Sequence, residues 1–167
     1  AEANTLRNQI LTVRLDEITG AISSLRYRLG PTNEIELVDA KPATALNDYF
    51  YLPGSDLKGL QRNGLVKISV KENGPLIASL LVESDAPGCR KLTREIRLHW
   101  PGTHSSPAYV EIVNVVDKLP IRKKEGVHFG FGFNLPGGVA RMDVPWAVVQ
   151  PEVDQLPGAC KNWFTVQ

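Results

Sequence analysis

The chain reads with a period of two along most of its length. "ILTVRL" sets Leu11, Val13 and Leu15 on one side and Thr12 and Arg14 on the other. That is the signature of a strand with one buried face. "DEITG" predicts a turn closing on Gly20, a residue free to take the left-handed backbone that hairpin loops often need. In "VKISVKENGPLIASLLVES", Val66, Ile68 and Val70 alternate with Lys67, Ser69 and Lys71. Asn73-Gly74 predicts the hairpin turn, and Pro75 fits the first position of the returning strand. "LTREIRLHW" alternates again, while "AYVEIVNVVDK" is apolar on both faces from Val113 to Val116. The latter predicts a central strand covered on both sides.

"VHFGFGFNLPGG" places Phe129, Phe131 and Phe133 on one face and His128, Gly130, Gly132 and Asn134 on the other. Three rings in a row belong in a core. Glycines opposite them predict a close approach on that side. No window holds an i, i+3, i+4, i+7 stripe, and 12 prolines and 14 glycines punctuate the chain. Roughly ten strands joined by turns predict an all-β fold, an antiparallel β-sandwich, with residues 1–167 as a single domain. Leu11, Val13, Val66, Ile68, Val70, Ile96, Ile112, Phe129, Phe131 and Phe133 are the expected core. The segment Gly54 to Gly64 reads as one exposed loop. The chain ends inside an apolar, strand-like run, Trp163-Phe164-Thr165-Val166. This predicts a strand cut from its continuation, with an unpaired edge that favours self-association.

Composition narrows the function classes. The length of 167 residues suits one domain, and 43% hydrophobic with 22% charged residues is ordinary for a globular one. Nineteen basic against eighteen acidic residues leave a net charge of +1, too balanced to predict binding to nucleic acid or an anionic membrane. No apolar stretch approaches the ~18 residues a transmembrane helix needs.

Most catalytic signatures are missing: there is no phosphate loop, no G-x-S-x-G and no H-E-x-x-H. His99, His104 and His128 have no metal-ligand spacing with one another or with the cysteines. No metal site is therefore expected in this chain. Glycoside hydrolysis needs two carboxyl groups roughly 5–9.5 Å apart. Glu95, Glu111, Glu125 and Asp143 are available, but each reads as an outward strand residue or turn former, and no catalytic residue is assigned. Cys89 and Cys160 lie in similar loops, "APGCRK" and "PGACKN", and either one bridge or two thiols fits.

Rings and amides cluster twice. "LNDYFYLPG" holds Asn47, Asp48, Tyr49, Phe50 and Tyr51; "DQLPGACKNWF" holds Asp154, Gln155, Lys161, Asn162 and Trp163. Sugar sites pair a flat apolar ring with hydrogen-bonding side chains. Asn47, His128, Gln155, Asn162 and Trp163 are therefore candidate sugar contacts, with core packing of the rings as the alternative.

"LNDYFYLPG", then "NGPLIASLLVES", "LTREIRLHW" and "RKKEGVHFGFGF", resembles in order and spacing the β-sandwich region of glycoside hydrolase family 38, the α-mannosidases. The likeness runs over roughly residues 5 to 167 and is nearest a bacterial branch. It implies a supersandwich of the galactose-mutarotase type. It also implies a parent whose zinc and nucleophilic aspartate lie in an N-terminal domain absent from this chain. The chain is then a non-catalytic piece excised from a longer enzyme, without a cofactor of its own. Its partners are the missing regions of that parent and a carbohydrate, and a periplasmic or secreted setting is favoured. The family's strand S-G-A-Y-x-F-x-P contributes a sugar-site tyrosine, and Tyr49 of "NDYFYLP" stands in its place. Tyr49 is expected near the surface with Phe50 turned into the core. Asn47-Asp48 departs from the family's Gly-Ala. The alternatives are a free-standing carbohydrate-binding module, or an aldose-epimerase-like enzyme using His128 or His99 with a glutamate.

Overall fold

The computed structural model describes residues 1–39, 45–100, 108–151 and 153–155. The chain divides into two units, Ala1–Asn134 and the residues from Leu135 onward. The first unit is an antiparallel β-sandwich. One sheet holds β1 (Thr5–Arg7), β2 (Leu11–Leu15), β3 (Ile22–Arg28), β5 (Leu46–Pro53) and β11 (Glu125–Phe131) in that order. Short β4 (Glu34–Glu36) pairs with β3, and β6 (Gln61–Arg62) pairs with β5. The facing sheet runs β10 (Tyr109–Lys118), β9 (Cys89–His99), β8 (Ile77–Ser84), β7 (Val66–Asn73). In the second unit β12 (Met142–Val144) and β13 (Ala147–Val149) form a small hairpin. Among the described residues there is no α-helix, only a 3-10 turn at Leu57–Gly59.

The period-two pattern places the core. Leu11, Val13 and Leu15 are buried, and from the facing sheet Leu80, Val82, Ile96 and Leu98 meet them. Tyr49, Tyr51, Cys89 and Leu92 form a second cluster, with Val116, Val127 and Phe129 packed against it. On β9, between Leu92 of the second cluster and Ile96 of the first, lies Arg94, in one cross-strand row with Ile68, Val82 and Asn114.

Several expectations are corrected. Among the described residues β10 is an edge strand, and β9 and β8 take the centre of its sheet. Val70 is 43% exposed, Phe131 49% and Phe133 51%. Phe129 packs edge-on against Tyr49, whereas Phe131 and Phe133 stack on each other at 6.4 Å where the strand runs out of the sheet. Val66, Ile68 and Ile112 are partly buried at the border of the core. The segment from Gly54 to Gly64 is not one loop, because it contains the 3-10 turn and β6. Pro75 lies in the turn rather than on the returning strand, which starts at Ile77, and the amide of Gly74 donates to Ile77 O at 2.8 Å. The run Trp163 to Val166 lies outside the described residues.

Candidate functional site

The "LNDYFYLPG" segment forms β5, and its second residue sets the local geometry. A bulge falls where Asp48 faces Gly130 but Leu46 faces Phe131, leaving Asn47 as the extra residue. Asn47 has φ of 60°, a left-handed conformation that asparagine tolerates better than most side chains. The extra residue lets Leu46 and Asn47 both turn inward. Leu46 joins the aliphatic core. Asn47 exchanges two amide hydrogen bonds with Asn114 of the facing sheet, at 2.9 and 2.7 Å.

Arg94 completes this layer from β9. Its side chain is fully buried. One guanidinium nitrogen donates to Asn47 O at 3.1 Å, and a second donates to Thr19 O. Both carbonyls come from irregular backbone that cannot pair within a ladder: the bulge, and the turn before Gly20. That turn is held by Asp16, whose carboxylate accepts from the amides of Ile18 and Thr19 at 3.0 and 2.7 Å. Gly20 has φ of 71° and lies against Val82 and Arg94, so a Cβ there would strike both. Burial lowers the Arg94 pKa to about 10, against the pull of Asp48, and the group stays charged at neutral pH.

Asp48 faces the other way, 3.0 Å from Arg62 and only 2% exposed. Burial raises its pKa despite Arg62 and Arg94. Arg62 also sits over the Phe50 ring at 5.0 Å. The glycines opposite the phenylalanines make room for this chain's own side chains. A Cβ on Gly130 would lie 2.9 Å from Phe50, and one on Gly126 would lie 2.5 Å from His128 Nε2.

Tyr49 corrects the expectation most sharply. It is wholly buried, and its hydroxyl donates to Pro87 O at 2.5 Å with Cys89 Sγ at 3.3 Å. Phe50 is the more exposed of the two. The bulge at Asn47 hands Tyr49 to the interior, where burial raises its pKa. Tyr49 is a core residue here, and its hydroxyl is not presented to a sugar. Tyr51 behaves likewise, donating to Glu125 at 2.5 Å.

The carboxylates are also tied down. Glu95, on the outer face of the four-stranded sheet, receives Lys71 at 2.7 Å and Arg97 at 2.9 Å. Arg97 chiefly, with Lys71 adding to it, outweighs burial and holds Glu95 at about 2. Glu111 is lowered by His99 and Arg97, and Glu125 by Lys118 and Tyr51. A general acid for glycoside cleavage needs the opposite shift. His99 stacks on Tyr109 at 4.4 Å and lies 3.0 Å from Glu111.

Within the first unit the two predicted sugar contacts, Asn47 and His128, do not share a site. Asn47 is in the core, His128 is exposed on the outer sheet face, and Gln155 is in the second unit. Asn162, Trp163, His104 and Cys160 lie outside the described residues; Cys89 is a buried free thiol. Asp143 is exposed on β12. Among the described residues no three His, Cys, Asp or Glu side chains converge as metal ligands. Two features escaped sequence reasoning. Arg94 shares by alternation the face of Leu92, Ile96 and Leu98, and that position was the sequence signal that it points inward. Trp146 is 104% exposed with φ of 74° at the β12–β13 turn; its "PW" dipeptide was the only turn signal. No known protein family's sequence profile matches the chain, and neither does any curated protein.

Proposed function

We propose that this chain is a non-catalytic β-sandwich region of an α-mannosidase-like glycoside hydrolase. It supports the catalytic part and belongs to a supersandwich of the galactose-mutarotase type. One observation carries the reading. The family's strand has glycine where this chain has Asn47, and Asn47 takes the left-handed backbone that glycine adopts freely. The departure in residue type is therefore compatible with a glycine at that place in the motif. The four segments that carry the resemblance fall on β5, β8, β9 and β11, around the Arg94 layer.

The described residues do not fit a zinc ion, so the reading assigns zinc and nucleophile to another part of the parent. It assigns Tyr49 to packing, not to sugar contact. The test is the native reading frame expressed whole. That product is expected to hydrolyse an aryl α-mannoside with metal dependence, and residues 1–167 alone to leave it intact. A metal-free short product without turnover overturns the reading.

The bare indole of Trp146 favours a second reading, a carbohydrate-binding module that stacks a pyranose on that ring. Calorimetric binding of a manno-oligosaccharide to residues 1–167, lost in Trp146→Ala, would select it.

A further inference from the structure

Among the described residues, leaving aside the short flanking strands β4 and β6, the two sheets end on four edge strands, and three of these are guarded against pairing with another chain. β1 is three residues long. β7 carries Lys67, Lys71 and a bulge between Val70 and Glu72. β11 is interrupted by Gly126 and Gly130 and sits opposite the Asn47 bulge. Short length, lysines, glycines and bulges are the usual defences of an edge. β10 has none of them in its middle. It is ten residues long, pairs with β9 alone among the described residues, and is regular until Asp117. Its central five residues, Ile112 to Val116, are uncharged.

Both faces of this edge are apolar and neither is fully covered. Ile112 and Val110 pack against the aliphatic core and Val116 against the aromatic one, yet all three stay half-buried. On the outer face Val115 is 59% exposed. The charges that flank the centre are satisfied within the chain. Glu111 is bonded to Arg97 at 3.2 Å and His99 at 3.0 Å, Asp117 to Arg90 at 3.0 Å, and Lys118 to Glu125. Such an edge presents no free charge to repel its own copy.

We propose that two copies of this chain pair antiparallel through β10, about a two-fold axis at Val113, to make one continuous sheet. In that register Val113 faces itself, Val110 faces Val116, Ile112 faces Asn114, and Tyr109 faces Asp117. No like charges fall opposite one another. A shift of the axis to Asn114 would set Glu111 against Asp117, which like-charge repulsion disfavours. The two-fold symmetry makes the contact closed, so pairing stops at a dimer.

Sedimentation velocity of the 167-residue chain tests this. A concentration-dependent dimer is expected. Val113→Lys, which sets two lysines face to face, and Val115→Glu, which sets a carboxylate opposite Glu111 of the other copy, should each raise the dissociation constant at least about tenfold. Leu65→Lys, beside the opposite edge, should leave it unchanged. Circular dichroism checks that each variant is folded, and the more exposed Val115 decides the matter if Val113→Lys is not. A strict monomer at high micromolar concentration, or a dimer indifferent to the charges placed on β10, overturns the proposal. The second outcome would move the interface elsewhere, including to the C-terminal run.

Discussion

The two cores of the sandwich bury their side chains equally well but by different chemistry. The aliphatic one, with Leu6, Val13, Leu15, Ile22, Leu80, Val82 and Ile96, has no polar atom to satisfy. Its worth comes from area removed from water and close packing. The aromatic one rests on Tyr49 and Tyr51, and each hydroxyl needs its own partner, Pro87 O and Glu125 respectively. Where the two meet, irregular backbone leaves carbonyls pointing into the interior, and Arg94 answers them. The lesson is local. A core of regular strands can be all hydrocarbon, but a core that contains a bulge and a turn needs a buried donor.

Substitutions on either side should expose the contrast. In the aliphatic core Ile96→Ala should cost about 2–5 kcal/mol by leaving a cavity, read by denaturant unfolding. A smaller loss would mean that the sheets close over the gap. On the outer face, stability should depend on Glu95. Its folded pKa is depressed, so its contribution is full above the ordinary carboxylate range and fades as pH falls from about 5 toward 2. The loss should be on the order of 2–3 kcal/mol, and Glu95→Gln should flatten that acid limb. Asp48 works in the opposite sense, because its raised pKa makes protonation ease folding. In the aromatic core Tyr49→Phe should cost about 1–3 kcal/mol, since the Pro87 carbonyl is left without its donor. No loss would mean that the hydroxyl is free after all. Phe131→Ala should cost under about 1 kcal/mol, because half of that ring already meets solvent. A loss as large as that of Ile96 would put Phe131 back in the core.

Much of the fold is legible in the residues, for a physical reason. A strand with one wet face must alternate, so Leu11, Val13 and Ile96 announce their burial. The alternation fails where a strand ends or bends. Phe131 continues the pattern of Phe129, but it ends its strand after a bulge, and its ring stacks on Phe133 outside both cores. β10 reads as central because both faces are apolar, a pattern that an exposed edge produces as readily as a covered centre. Tyr49 and Phe50 exchange their expected places because one extra residue at Asn47 shifts the pleat, and no propensity marks a bulge at asparagine. Arg94 is the hardest to foresee. Its value lies in carbonyls from distant segments, Thr19 and Asn47, which only the packed sandwich brings together.

The role of Arg94 is the claim on which the two-core description turns, and Arg94→Met tests it most directly. Methionine keeps much of the volume and removes every donor. Buried charges replaced by hydrocarbon are often tolerated or even stabilising, so the outcome is not trivial. If Arg94 is the donor that the bulge and turn require, equilibrium unfolding of the variant should show a loss of about 1–3 kcal/mol, mostly from the unpaired Asn47 carbonyl, because Thr19 O keeps Asn63 Nδ2 at 3.2 Å. Hydrogen exchange should quicken first around Thr19 and Asn47. A variant as stable as the native chain, with those amides equally protected, would contradict the account.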